Sequence, residues 1–333
     1  MKKIYLTILI LGVAVLFGKS SEKPQWLTDI KSKYPESLYL ASIGKGDSKN
    51  NAENNAAANL ARIFESKIKV DETTIQRYSE LSVNNKTDVS EEMKSNKSVS
   101  VSSGQTLFNV KFGEYFTDET GEVFTVAYAE RFSTGDIYEQ KIKYNSEQTE
   151  FFLAKADKSE NNFQKFAALS VAEIFAETNK NLLNQLMIIS PETAEFCKPE
   201  YSLSKIRQNK EEAAASVYYS VDIKNDSDGY IKDIFDEMLT DQGFSSGEDP
   251  IIEVKGNIEF KDVKLNRPEK FISYRANISI KNKDKDIAFL RLKGREGSSD
   301  RERAQEIAFR SIQRKITREF TKKFYRYIDR LSD

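Results

Sequence analysis

Histidine does not occur anywhere in these 333 residues. Its absence removes Ser-His-Asp and Cys-His nucleophiles, histidine general bases, and nearly all zinc and copper sites. Cysteine occurs once, as Cys197. No disulfide can form within the chain, so the fold must rest on packing. The surrounding AEFCKPEY offers no cationic cluster or helix start to favour a thiolate, and Cys197 reads as a small, partly buried apolar side chain. The alternative is an intermolecular disulfide. A surplus of charge is missing too: the net charge is −1 although 31% of residues are charged. That balance argues against a general nucleic-acid binder and for a soluble, salt-laced surface. The only long apolar run, Ile4 to Phe17, falls short of the roughly 20 residues of a membrane span.

What is present begins with that run. Lys2 and Lys3 precede it and Gly18-Lys19-Ser20 follows, which reads as a signal peptide over residues 1–20, with an uncleaved membrane anchor as the alternative. Leu16-Phe17-Gly18 is how a lipobox begins, but Lys19 stands where the lipid-bearing cysteine would be. Ser37 to Ile43 alternates as a strand, Gly44-Lys45-Gly46 turns the chain, and Ala52, Ala56, Leu60, Ile63 and Phe64 recur at helical spacing. Residues 71–105 turn polar and read as an exposed loop or protruding hairpin after a possible helical start. LFNVKFGEYF and EVFTVAYAERF form a hairpin with one aromatic face, on which Phe124, Val126, Tyr128 and Phe132 lie together. Residues 135–190 carry two helical stripes separated near Ser159 to Asn162, the second stopped by Pro191.

After a linker, alternation becomes strict. Val217 to Ile223, Ile252 to Phe260, Ile272 to Ile280 and Ala288 to Leu292 each bury one face and wet the other. A short helix, GYIKDIFDEMLTDQGF, sits among them. A long helix from about Ser299 to Leu331 closes the chain, with Ala304, Ile307, Ala308, Ile312, Ile316, Phe320, Phe324 and Ile328 as its apolar stripe. Its other face is basic, which reads either as a contact for anionic lipid or as a solvated face. Gly44, Ala52, Ala56 and Leu60 echo Gly294, Ala304, Ala308 and Ile312. The expected fold is α+β: two modules, each an antiparallel sheet with helices packed on one face, joined by a helical hairpin and linker. The expected boundaries are 1–20 signal peptide, 21–145 first module, 146–190 helical segment, 191–213 linker and 214–333 second module.

Chemistry has little to work with. Without histidine, catalysis would fall to carboxylates, Lys, Tyr and Ser. Glu91-Glu92, Asp222, Asp226 and Asp228 are the acidic clusters, and a glycosidase would need two carboxylates set across a cleft. Asp226-Ser227-Asp228-Gly229 resembles a calcium-loop fragment, but Leu239 stands where the glutamate belongs; a turn capping the next helix is preferred. Gly44-Lys45-Gly46 lacks the third glycine of a dinucleotide fingerprint, Asn50 standing there, so these read as turn glycines. No catalytic, cofactor-binding or metal residue is assigned, and no cofactor is expected.

Pro24-Gln25-Trp26 followed by YPESLYLASIGKGDSKNNAENNAAANLARI resembles the LPP20 family of bacterial envelope lipoproteins. Members combine a Pro-x-Trp start, a Tyr-Pro-x-x-x-Tyr-Leu strand, a Gly-x-Gly turn and an alanine-rich helix. The resemblance covers about residues 24–145. The C-terminal pattern is similar to small envelope binding domains, including those of flagellar-ring and peptidoglycan-synthase accessory lipoproteins. The resemblance implies a periplasmic or outer-membrane location, no known catalysis, and structural or adaptor work on other envelope proteins. Lys19 departs from the family pattern, so a soluble periplasmic form is the first expectation. The alternatives are a membrane-surface binder acting through the basic C-terminal helix, or a carboxylate-dependent enzyme acting on glycans.

Overall fold

A computed structural model describes residues 22–65, 72–84, 99–100, 106–226, 228–283 and 285–332. The leader with Lys19, and the Glu91-Glu92 pair, lie outside the described residues. The chain divides into two compact units, one formed by residues 1–61 and 110–130 and the other by 62–109 and 131–333.

The first unit starts with a short helix, α1 (Gln25–Thr28), and a 3-10 turn at Ile30–Ser32. Strand β1 (Tyr39–Gly46) follows, then helix α2 (Lys49–Glu65), whose last turn passes into the second unit. Ala52, Ala56, Leu60 and Phe64 are buried as their spacing predicts, whereas Ile63 is 40% exposed. Strands β4 (Lys111–Thr117) and β5 (Val123–Glu130) complete an antiparallel sheet of order β1-β5-β4. The hairpin is less regular than its alternation suggests. A register shift interrupts β4 between Phe112 and Tyr115, and β5 buries residues on both faces, including Thr125, Val126 and Ala127. Phe132, expected on the aromatic face, lies beyond β5 in a helix and is 80% exposed. The core of this unit is Trp26, Tyr34, Phe116 and Val126, with Tyr39, Phe124 and Tyr128 packed against it.

In the second unit, helix α3 (Glu72–Asn84) forms the helical start of the polar stretch 71–105. Leu81 gives it a buried anchor, and Tyr78 packs edge-on against Phe175. Two-residue strands β2 (Val99–Ser100) and β3 (Thr106–Leu107) pair antiparallel. Helices α4 (Arg131–Asp157) and α5 (Asn162–Ile189) form the expected hairpin. The side chain of Asn161 accepts from the Gln164 amide to start α5, and Arg131 donates to the carbonyls of Ile188 and Ile189 at its end.

This hairpin is not a spacer. Helix α5 is apolar on two sides: Val171 and Phe175 share one cluster with Phe152 of α4, while Phe163, Phe166 and Ala167 join the core of the C-terminal sheet. The stretch 191–213, read as a linker, is largely helical too. It forms α6 (Pro191–Phe196), with Pro191 in the first turn, and most of α7 (Leu203–Ala215), capped by Ser202. Proline is tolerated in a helix's first turn, where its missing N–H would have no partner anyway, so Pro191 both ends α5 and opens α6.

The second sheet contains β6 (Tyr218–Lys224), β7 (Ser245–Ser246), β8 (Ile252–Val263), β9 (Lys270–Asn282) and β10 (Lys285–Ser298) in the order β10-β9-β8-β6-β7. Helix α8 (Tyr230–Thr240) stands between β6 and β7. The β8-β9-β10 meander is antiparallel, as expected. The rest corrects the expectation: β6 runs parallel to both β8 and β7. Alternation reports which side chains are wet, not which way the strand runs. Helix α9 (Arg301–Ser332) ends the described chain. Helices α5, α8 and α9 share one core with the alternate residues of the sheet, so helices cover one face and leave the other to water.

Candidate interaction surfaces

The sequence motifs of the first unit are occupied with packing. Gly44 and Gly46 are not in a turn but inside β1. A Cβ on Gly44 would lie 2.0 Å from the Ala56 nitrogen, and one on Gly46 would lie 2.8 Å from the Ala52 nitrogen. The glycines and alanines therefore let strand and helix backbones touch, and neither glycine is arranged as a phosphate cradle. Tyr34, Tyr39 and Tyr128 form a three-ring cluster with centroids 4.9–5.8 Å apart. The Pro35 carbonyl accepts from the Leu38 and Tyr39 amides and starts the strand.

The same helix also covers the free side of its strand. Asn55 donates to the Lys45 carbonyl at 2.8 Å and Asn59 to the Ile43 carbonyl at 3.0 Å. β1 is an edge strand, and an edge offers unpaired backbone groups to any passing chain. Two asparagines one helical turn apart meet two carbonyls two residues apart. The second unit repeats the device with different residues. On α9, Lys315 donates to the Lys293 carbonyl at 3.0 Å and Lys323 to the Phe289 carbonyl at 2.8 Å, and β10 is again an edge strand. The echo noticed in the sequence is thus physical only in part. Ala304, Ala308 and Ile312 are buried like their counterparts, but Gly294 leaves space for the Tyr274 ring of the neighbouring strand, not for a helix.

The acidic residues singled out from sequence do not converge. Asp226 accepts through Oδ2 from the Ile231 and Lys232 amides, both at 2.9 Å, and so caps α8, with Gly229 at φ +74° making the turn. Asp222 points to the open face of the sheet, opposite Lys255. Asp228 is exposed. No group of three or more His, Cys, Asp or Glu side chains able to hold a metal occurs among the described residues. Cys197 is half-buried at the end of α6; burial, and secondarily the charge of Glu139, pushes its thiol pKa up, which disfavours the reactive thiolate. No described helix is long and apolar enough to cross a membrane.

Sequence reading missed a polar seam inside the helical hairpin. Asn179 of α5 donates to the Ile142 carbonyl, Ser146 and Tyr201, and Tyr78 of α3 donates to Asn145 of α4. Asn145, Thr149 and Asn179 are buried. Such bonds fix helix register, because a slip would strand a buried amide. Beside them Lys141 lies 4.2 Å from the Phe108 ring centroid, and burial brings its pKa down to about 8. Polar residues at every third or fourth position of a long helix are also what a solvated face looks like, so the pattern alone carries no signal.

Two solvent-open hollows of about 500 Å³ mark the second unit. One lies among Ser202, Leu203, Arg207 and Glu211, and the other among Phe151, Lys155, Lys158 and Leu331. The open sheet face carries Lys255, Lys261, Arg275, Arg291 and Lys293 as exposed cations, with Phe289 44% exposed and Arg291 stacked 4.9 Å from its ring.

In the residues described, the motif glycines and alanines serve helix–strand contact. Residues 24–130 match the family described as LPP20 lipoprotein. That match supports an exported, envelope-associated protein. Among solved structures, the secreted protein HP1454 of Helicobacter pylori is 16% identical, with 87% of this chain and 97% of that one covered at a TM-score of 0.38. A minor lipoprotein of Acinetobacter baumannii is 14% identical, with 31% of this chain and 88% of that one covered at a TM-score of 0.26. No curated protein matches the chain.

Proposed function

We propose that this chain is a non-catalytic protein of the bacterial cell envelope, and that it works as a structural or adaptor component binding other envelope proteins. The observation that carries this reading is the LPP20 lipoprotein match over residues 24–130, in a unit whose motif residues serve helix–sheet contact. Two of its sheet edges are met by helix side chains. Strand β4 is the remaining edge of the first sheet; it is interrupted by a bulge and displays Tyr115 at 38% exposure. A bulged edge bearing an aromatic residue suits a protein partner better than a glycan cleft.

The test is cell fractionation combined with a photo-crosslinking amino acid at position 115. The reading expects the chain in the envelope fraction, with a light-dependent adduct to a second protein. Recovery in the cytosol, or adducts absent at every exposed position of β4, would overturn it.

A further inference from the structure

We propose that the outer face of α9 is a docking strip for the headgroups of an anionic phospholipid surface. The proposal rests on the envelope location given above, not on the protein partner.

Helix α9 carries ten Lys or Arg against four Asp or Glu. That is a surplus of six on a chain whose net charge is −1, so the other residues together carry −7. Position matters more than number. Arg310, Arg314, Arg318, Lys322, Arg326 and Arg330 follow one another at intervals of four, and every one is exposed. Residues four apart form a continuous ridge on a helix. At 1.5 Å per residue the ridge is about 30 Å long, with cations about 6 Å apart. That spacing is below the screening length of about 8 Å at physiological salt, so neighbouring charges act together.

Of the two acidic residues along this stretch, one offsets a ridge cation and the other is turned away. Glu319 lies 3.5 Å from the Arg318 guanidinium. Asp329 is turned toward α3, where Arg77 donates to it at 2.7 Å. From residue 310 to 330 the only other exposed side chains are Thr317 and Thr321.

The chemistry of the strip selects its occupant. Protein interfaces centre on a buried aromatic or aliphatic anchor, and the strip offers none. An amphipathic helix inserts its apolar face into lipid, but that face of α9 is already buried against the chain's own sheet, from Ala304 to Ile328. What remains is a row of cations that winds about 40° around the axis at each step, so that any four consecutive members lie within about 120° of one another; such a group suits an extended anionic surface, held by charge without insertion. At its end the helix meets the mixed hollow formed by Phe151, Lys155, Lys158, Glu160 and Leu331.

The experiment is co-sedimentation of the full chain with vesicles of phosphatidylglycerol in phosphatidylcholine, compared with phosphatidylcholine alone. One variant combines Arg310→Gln, Arg314→Gln, Arg318→Gln, Lys322→Gln and Arg326→Gln. A second removes the same charge from the open sheet face through Lys255→Gln, Lys261→Gln, Arg275→Gln, Arg291→Gln and Lys293→Gln. All ten sites are exposed, and circular dichroism confirms that both variants fold. The wild type should bind anionic vesicles at low salt and leave them at high salt. Each cation near an anionic surface strengthens binding about fivefold, so the ridge variant should bind on the order of a hundredfold or more weakly. The sheet-face variant should retain most of its binding. Equal loss in both variants would overturn the proposal in favour of net charge alone. So would wild-type indifference to anionic vesicles, including the case in which an acidic polypeptide binds the ridge instead. Neither result bears on the compartment or on adducts at β4, which the crosslinking experiment reads separately.

Discussion

Gly44 has no room for a methyl group. Its missing Cβ would fall 2.0 Å from a backbone nitrogen of α2, and backbone cannot step aside as a flexible side chain does. Gly44→Ala should therefore cost about 3 kcal/mol or more, at the upper end of overpacking effects. Gly121→Ala is the comparison: nothing lies within 4 Å there and only its φ of +86° is strained, so the loss should be about 1 kcal/mol. Urea midpoints followed by Trp26 fluorescence check both, and equal midpoints for the two variants would contradict the close-approach account. Lys141 gives a pH-dependent prediction. Its folded pKa of about 8 lies below the roughly 10.4 of an unfolded lysine. Below pH 8 both states are charged and the burial penalty is fully felt. Between those values the unfolded chain holds more protons, so stability rises with pH. Lys141→Met should stabilise the protein near neutral pH by about 1–2 kcal/mol, and the advantage should shrink as pH climbs toward 10. A difference between variant and wild type that stays constant with pH would contradict this.

Elements were legible wherever one periodicity dominated. Ala52, Ala56 and Leu60 on α2, and the alternate residues of β8, β9 and β10, are buried as their spacing predicts. The failures have physical causes. β6 was expected antiparallel because half-wet alternation is the usual mark of an antiparallel strand, and here a parallel strand shows it too. Residues 191–213 read as linker because Pro191 and Pro199 look like breaks, and neither α6 nor α7 carries a long apolar stripe. The capping turn read at Asp226 is present, its carboxylate accepting from two helix amides. The edge guards were invisible, since asparagine and lysine on a helix signal only solubility until a strand is placed beneath them. Their removal has a measurable effect. Asn55→Ala with Asn59→Ala should lose about 1 kcal/mol per bond and raise concentration-dependent association, read by light scattering. Lys315→Met with Lys323→Met should do the same for β10, and scattering unchanged in both pairs would sink the guarding role.

At the scale of the molecule, each unit has its own core, and the single tryptophan, Trp26, lies in the first. Fluorescence therefore reports on one unit, while far-UV circular dichroism is dominated by the long helices of the other. Gly44→Ala should move the fluorescence transition more than the dichroism transition. Phe235→Ala, which empties a fully buried site beneath the second sheet, should do the reverse at a cost of about 3–5 kcal/mol. Superimposable transitions in both variants would show that the two cores unfold as one. The division of the chain also sets an order of events. A ribosome delivers β1 and α2 early, yet Tyr39 must wait for Glu130 as its partner. During that wait a nascent strand could zip onto the wrong neighbour along either margin. Asn55 and Asn59 follow the carbonyls they occupy by only ten and sixteen residues, so that margin closes first. Only the vacancy meant for β5 stays open until the ribosome reaches it.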